Sequence, residues 1–242
     1  MAIADETVRL LLIEDDATSA AVVVEQLRGA TAARFDVTHV GSLADAEASL
    51  DAAPFHIALV DLGLPDAFGL QALQVMMAHA AGPACVVMSA TDDPELALAA
   101  MELGAQDFVQ KGRSSPDSLV RRLLAARARK GRIDDAIARS REATALLRSL
   151  PGPLLMVDDQ GRVVFANDAA GALYGRDPTW LVGQRFRTEV PDAQPLLLHI
   201  QPHVGDPIAV VARASTGTWR GVPCRQILMR RAEEPAAPPE NA

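Results

Sequence analysis

The sequence predicts a doubly wound α/β domain with a five-stranded parallel sheet, then a long helix, then a smaller α+β domain. Three observations carry this. Short apolar runs alternate five times with helical segments across the first half of the chain, the pattern of a sheet covered on both faces. A stripe stepping by four and three residues then runs from Leu119 to Leu147. After Pro151-Gly152-Pro153, strand-like runs separated by Gly and Asp turns predict antiparallel hairpins.

Length and charge fit this division. At 242 residues, 49% of them hydrophobic, the chain has room for about two ordinary domains. A net charge of −8 argues against a general nucleic-acid binder or a membrane-surface protein. The charge is uneven: residues 1–118 hold 5 basic and 18 acidic side chains, residues 119–148 hold 9 and 3, and residues 149–242 hold 9 and 10. We therefore expect domains at 1–118 and 150–232, a helical linker at 119–149, and a polar, Pro-rich, disordered tail at 233–242. Cys85 and Cys224 are too far apart in sequence for metal-ligand spacing or a disulfide framework. Asp5 and Glu6 come too early for a signal peptide, and no window is long enough to span a bilayer. A soluble, cytoplasmic protein with a natural end at its tail is expected.

The elements of the first half follow in order. Val8 to Ile13 reads as a buried strand running into Glu14-Asp15-Asp16, and Thr18 to Arg28 as a helix closed by Gly29. Phe35 to Val40 is a second strand, and Leu43 to Leu50 a helix with Ser42 as N-cap. Ile57 to Val60 is the third strand, ending in Asp61 before a Gly/Pro break. A helix over 69–80, a fourth strand from Ala84 ending at Ser89, and a helix from Pro94 to Leu103 come next. The fifth strand, Asp107 to Gln110, ends at Lys111.

In such a sheet the C-terminal strand ends open into one crevice. The expected occupants are Glu14, Asp15, Asp16, Asp61, Ser89 and Lys111. Crowded carboxylates repel unless a cation intervenes, and oxygen-only ligands with room for water and phosphate suit Mg²⁺. A lysine and a hydroxyl supply what a phosphoryl group needs, a charge and a hydrogen-bond donor. Asp61 is then a nucleophile taking a phosphoryl group.

These residues resemble the receiver domain of bacterial two-component response regulators. The matching pieces are Leu12-Ile13-Glu14-Asp15-Asp16, Val60-Asp61-Leu62-Gly63-Leu64-Pro65-Asp66 with Gly69, Met88-Ser89-Ala90, and Gly104 through Lys111. The resemblance implies Glu14 and Asp15 as the Mg²⁺-binding pair, Asp61 as phosphoacceptor and the Gly63 carbonyl as a further ligand. It implies Ser89 as the hydroxyl that moves toward the phosphoryl group, Lys111 as its cationic partner, and Phe108 as the aromatic that follows Ser89 inward. It also implies a histidine kinase or phosphotransfer protein as phosphodonor. Two positions depart from the family: Gly112 stands where Pro usually follows the lysine, and Phe108 where Tyr is more common.

Ser115-Pro116-Asp117 offers a helix start. From there Leu119, Leu123, Ala126, Lys130, Ile133, Ile137, Ser140, Thr144 and Leu147 keep a coiled-coil period for about four heptads. Lys, Ser and Thr in that seam point to dimerisation aided by flanking domains; the alternative is one helix packing on its own domain. Residues 80–198 contain no His, which excludes a phosphoacceptor histidine on this helix.

In the last segment Leu154–Val157 and Val163–Ala166 form a hairpin, and Asn167-Asp168 caps a short helix to Tyr174. Three further strands are expected at Ile208–Ala212, Gly217–Val222 and Arg225–Met229. The run Val157 to Asn167, with Ala169-Ala170, Leu173, Gly175 and Leu181-Val182-Gly183, resembles a PAS domain. No flavin or haem is expected: the flavin-binding cysteine motif is missing, and His199 and His203 lie in a Pro-bounded, strand-like stretch. Trp180 and Trp219 are expected in the core.

The function expected is a response regulator, not an enzyme with a catalytic output domain. It would accept phosphate on Asp61 and pass the change through the linker to a PAS dimerisation or interaction module with a downstream protein target. The alternatives are a phosphate-independent docking scaffold for a kinase or cyclase system, a DNA-binding regulator, and a metal-dependent hydrolase. No basic recognition helix follows residue 150, and Gly63 stands where such hydrolases carry a second Asp.

Overall fold

A computed structural model describes residues 7–79, 82–192 and 194–232. The tail expected at 233–242 lies outside the described residues. The chain divides into two compact units, residues 1–137 and 138–242.

In the first unit β1 (Val8–Ile13), β2 (Phe35–Val40), β3 (Ile57–Asp61), β4 (Ala84–Ser89) and β5 (Asp107–Gln110) form one sheet. Its order is β2-β1-β3-β4-β5, and every pairing is parallel. The apolar runs read as central strands are central: every residue of β3 and of β4 is buried. Side-chain alternation splits them between two cores. Leu10, Leu12, Leu59, Val86 and Met88 face one core, while Leu11, Ile13, Val60 and Val87 face the other. Each such aliphatic side chain contributes about 1.5–3 kcal/mol on full burial.

Helices cover both faces: α1 (Ala17–Arg28), α2 (Leu43–Ala52), α3 (Gln71–Ala78) and α4 (Pro94–Glu102). Their starts follow capping chemistry. Asp16 accepts from Thr18, Ser42 from Asp45, and Asp93 from Glu95 and Leu96 ahead of a Pro in the first turn. The long helix α5 is continuous from Pro116 to Ser149. Its first turns pack Leu119, Val120, Leu123 and Ala126 into the same core as α1. Beyond them the middle of the seam is exposed, Ile133 by 48% and Ile137 by 45%.

The second unit is an antiparallel sheet of order β7-β6-β10-β9-β8. Its strands are β6 (Leu154–Val157), β7 (Val163–Ala166), β8 (Leu196–Ile200), β9 (Ile208–Trp219) and β10 (Val222–Arg231), with α6 (Asp168–Tyr174) and α7 (Pro178–Leu181) inserted after β7. Leu155 and Val157 join the core on the helix side, while Leu154 and Met156 join Phe165, Cys224, Trp219 and Leu147 on the other side. Asn167 ties the start together. Fully buried, its side chain accepts from Leu154 and Ala170 N–H, both at 2.9 Å, and donates to the Leu150 and Gly152 carbonyls. Gly171 lets α6 approach the next turn: an added Cβ would stand 2.7 Å from the Arg176 carbonyl oxygen.

Two expectations need correction. The single strand expected at Gly217–Val222 is split by a two-residue hairpin turn at Arg220-Gly221, both with positive φ, so that Gly217–Trp219 end β9 and Val222 opens β10. The strand-like stretch holding His199 is strand β8. Trp180 is 49% exposed and lies against the Arg176 guanidinium, 4.7 Å from ring centre; Trp219 does pack, 4.7 Å from Phe165.

Candidate functional site

The strand ends deliver the expected residues to one crevice. Asp61 closes β3 and is 6% exposed; Glu14, one residue past β1, is 1% exposed; Ser89 closes β4 and is 6% exposed. Carboxylate oxygens of Glu14, Asp15 and Asp61 lie within 4.8 Å of one another, Asp15 on the exposed side. Lys111, directly after β5, reaches across with Nζ 2.6 Å from Glu14 Oε2 and 2.9 Å from Asp61 Oδ2. Burial alone would lower the lysine's pKa, but its contacts with the two carboxylates outweigh that and raise it. The ammonium is therefore held charged. Asp61 Oδ1 accepts from Leu62 N–H at 2.9 Å, leaving Oδ2 toward the lysine.

The third acid of the triplet does other work. Asp16 accepts from Thr18 N–H and Ser19 Oγ at the start of α1, so it caps a helix. Gly63 folds back over the phosphoacceptor candidate, where an added Cβ would stand 3.2 Å from Asp61 Oδ2. Ser89 Oγ accepts from Thr91 N–H at 3.1 Å and lies 3.0 Å from Thr91 Oγ1. Phe108 is half-buried against the core that holds Val60 and Val87. Gly112 adopts φ +72, a left-handed conformation that suits glycine.

The donor set fits Mg²⁺. All three side chains offer hard oxygen, and the buried carboxylates of Glu14 and Asp61 share the single ammonium of Lys111. A dication beside them would neutralise charge that one ammonium leaves in excess. A cleft of about 330 Å³ opens beside Lys111 between α1 and α5, lined by Val22, Val23, Met88, Val109 and Leu119.

Two networks, one beside the crevice and one at the opposite end of β5, had no signature in the sequence. Asp66, in the loop after β3, accepts from Leu43 N–H at 2.9 Å and Ala44 N–H at 3.0 Å. At the base of β5, Asp107 accepts from Arg122 Nε at 3.0 Å and Nη2 at 2.6 Å, and Arg122 also donates to the Phe108 carbonyl at 2.6 Å. Arg129 donates to the Gln106 carbonyl at 2.6 Å. Burial pushes the Asp107 carboxyl up, but Arg122, the Phe108 N–H and Arg129 together bring it below its ordinary value.

This parallel sheet with its acidic crevice defines a class of signalling module, and comparisons give it a name. Residues 10–124 match the response regulator receiver domain, and residues 147–216 match the PAS fold. The chain thus carries a receiver domain followed by a PAS fold, with no catalytic output domain among the matches. It is 35% identical over 118 residues to "Probable transcriptional regulatory protein y4xI" of Sinorhizobium fredii, covering 48% of this chain and 49% of that one. It is 32% identical over 112 residues to the swarming motility regulation protein RssB of Serratia marcescens, covering 46% and 50%. The chain spans about half the length of these curated relatives. Among solved structures, a receiver domain protein from Methanospirillum hungatei matches at 17% identity and TM-score 0.46, over 52% of this chain and 98% of that one. The PAS domain of an HTR-like protein from Haloarcula marismortui matches at 15% and 0.37, over 43% and 99%. No helix among the described residues is long and apolar enough to cross a membrane.

Proposed function

We propose that this protein is a cytoplasmic response regulator that takes a phosphoryl group on Asp61 from a histidine kinase or phosphotransfer protein. The observation that carries this reading is the buried Asp61 at a strand end, 2.9 Å from Lys111 Nζ and clustered with Glu14 and Asp15. Glu14, Asp15, Asp61 and the Gly63 carbonyl would hold Mg²⁺, which when bound offsets the charge of the transferring phosphoryl group. A carboxylate oxygen of Asp61 attacks phosphorus, an O–P bond forms, and the donor's N–P bond breaks with its electron pair leaving on the imidazole nitrogen. Lys111 meets the new oxyanions as a fixed charge.

Ser89 Oγ accepts the Thr91 N–H and shares a hydroxyl contact with Thr91 Oγ1; giving up that contact lets it donate its proton to a phosphoryl oxygen. Leaving Thr91 lets Phe108 move toward the vacated side. The added charge thereby shifts a two-state surface; a change from mostly off to mostly on needs about 5.5 kcal/mol of differential stabilisation. The helix α5 then carries the shift to the PAS fold, which acts as a dimerisation or partner-binding module without flavin or haem. The exposed Ile133 and Ile137 on the seam support pairing of two copies.

Intact mass after incubation with Mg²⁺ and acetyl phosphate, beside Asp61→Asn, tests the reading. One added phosphoryl group in the wild type only is expected. No adduct on a Mg²⁺-binding protein would instead make it a phosphate-independent docking scaffold, and steady ester turnover would make it a hydrolase.

A further inference from the structure

The loop between β3 and α3 carries the chemistry of the crevice on its first residues, yet it is solvent-facing. Gly63, Pro65 and Asp66 are all exposed. Its buried anchors are Leu64 at 4% and Ala67 at 2% exposure. Between them stands Asp66, and both of its oxygens are used. Oδ1 takes the Leu43 N–H and Oδ2 the Ala44 N–H, the first two amides of α2, which no carbonyl of the helix itself can satisfy. Ser42 serves the next one, the Asp45 N–H at 3.1 Å. A helix end thus divides its caps between its own flank and a loop more than twenty residues away.

The geometry links the two acidic loops. An added Cβ on Gly41, just before that cap, would stand 3.9 Å from the Asp15 Cα. The start of α2 therefore abuts the segment holding Glu14 and Asp15 on one side and is laced on the other to Asp66, three residues after Gly63 in the same loop. A carboxylate suits this place twice over: it forks two successive N–H groups, and it sits at the positive end of a helix.

We infer that Asp66 is a positioning residue of the crevice: by fastening the β3–α3 loop to the start of α2, it sets the Gly63 carbonyl against the Glu14–Asp15 pair and so tunes divalent-metal affinity. This rests on the proposed reading of the crevice as a Mg²⁺ and phosphoryl site. It differs from a purely structural cap in what it should move. Losing a cap lowers stability; losing this one also spoils metal binding.

The test is Mg²⁺ titration calorimetry on the full chain for wild type, Asp66→Ala, Asp66→Asn and Ser42→Ala, each with its thermal midpoint. Asp66→Ala should weaken Mg²⁺ binding by about tenfold, the lower range for loss of a group that orients metal ligands. Asp66→Asn keeps one acceptor and turns an NH₂ toward the second amide, so its loss should be intermediate. Ser42→Ala frays the same helix end without untying the loop, so it should lower the midpoint and keep Mg²⁺ affinity within about twofold of wild type. In metal-free protein, amide exchange at residues 62–64 should quicken in Asp66→Ala and not in Ser42→Ala. Wild-type affinity in Asp66→Ala, or equal weakening in Ser42→Ala, overturns the positioning role while the crevice reading stands. A wild type that binds no Mg²⁺ overturns both.

Discussion

Arg122 is the side chain through which α5 grips the strand carrying Phe108, and replacing it by Leu isolates that grip. Leucine keeps an apolar stem and removes three donors: two to Asp107 and one to the Phe108 carbonyl. A sheltered hydrogen bond to a charged group contributes about 1.5–3 kcal/mol, an exposed ion pair about 0.2–1 kcal/mol. The side chains are 39% and 21% exposed, so water replaces part of what is lost. The expected cost is about 1–2 kcal/mol for the whole fork, or a midpoint lowered by about 3–8 °C. Aromatic placement makes the assay specific. Both tryptophans, Trp180 and Trp219, lie in the second unit, and the described part of the first has only phenylalanines as aromatics. Circular dichroism should therefore record an earlier transition while the tryptophan fluorescence midpoint stays in place. Arg122→Lys, with charge but no planar fork, should recover only part. A circular-dichroism midpoint within about 0.5 kcal/mol of wild type would refute the reasoning, since an unremarkable surface change has that size. So would a shift confined to fluorescence.

Two further outcomes follow from the same contacts. Asn167→Ala strands two buried N–H groups and two carbonyls at the start of the PAS fold, so it should cost about 2–4 kcal/mol and move the tryptophan fluorescence midpoint most. Acid should weaken the first unit through Asp107, whose folded pKa is depressed below its ordinary 3.8. That contribution is complete above pH 3.8 and disappears as pH falls through the lower folded value; in Asp107→Asn, urea midpoints should lose this part of their acid sensitivity.

The crevice was legible in the sequence because its members are local punctuation. Asp61 and Ser89 each close a short apolar run and Lys111 follows a short strand after Gly104, and parallel strands put such endings together. The caps Ser42 and Asn167 were readable for the same reason, since a cap acts within three residues. Asp66 was not, because its partners are amides of Leu43 and Ala44 and no spacing encodes them. Arg122 looked like part of a solvated basic face; only the packing of α5 on the sheet turns it toward Asp107. The single strand expected at Gly217–Val222 failed on conformation: Trp219 and Val222 are strand residues, but of two strands, because Arg220-Gly221 between them takes the positive φ of a reversal. The stripe from Leu119 to Leu147 lies on one continuous helix, and its first turns serve the receiver core, because a heptad stripe reads alike whether a sheet or a second helix covers it.

The thiols lend themselves to spectroscopy. The protein has one cysteine per unit, and both are buried, Cys85 1% and Cys224 6% exposed. Burial pushes the Cys85 thiol up to about 12 and raises Cys224 as well. Burial thus keeps Cys85 protonated at neutral pH and away from the thiolate form that reacts with maleimides. A cysteine introduced at an exposed position such as Ala21 or Arg139 would then be the fast-labelling thiol. Dyes or spin labels can thus be attached to the native core, with neither Cys85 nor Cys224 removed, and inter-label distances followed as phosphodonor is added.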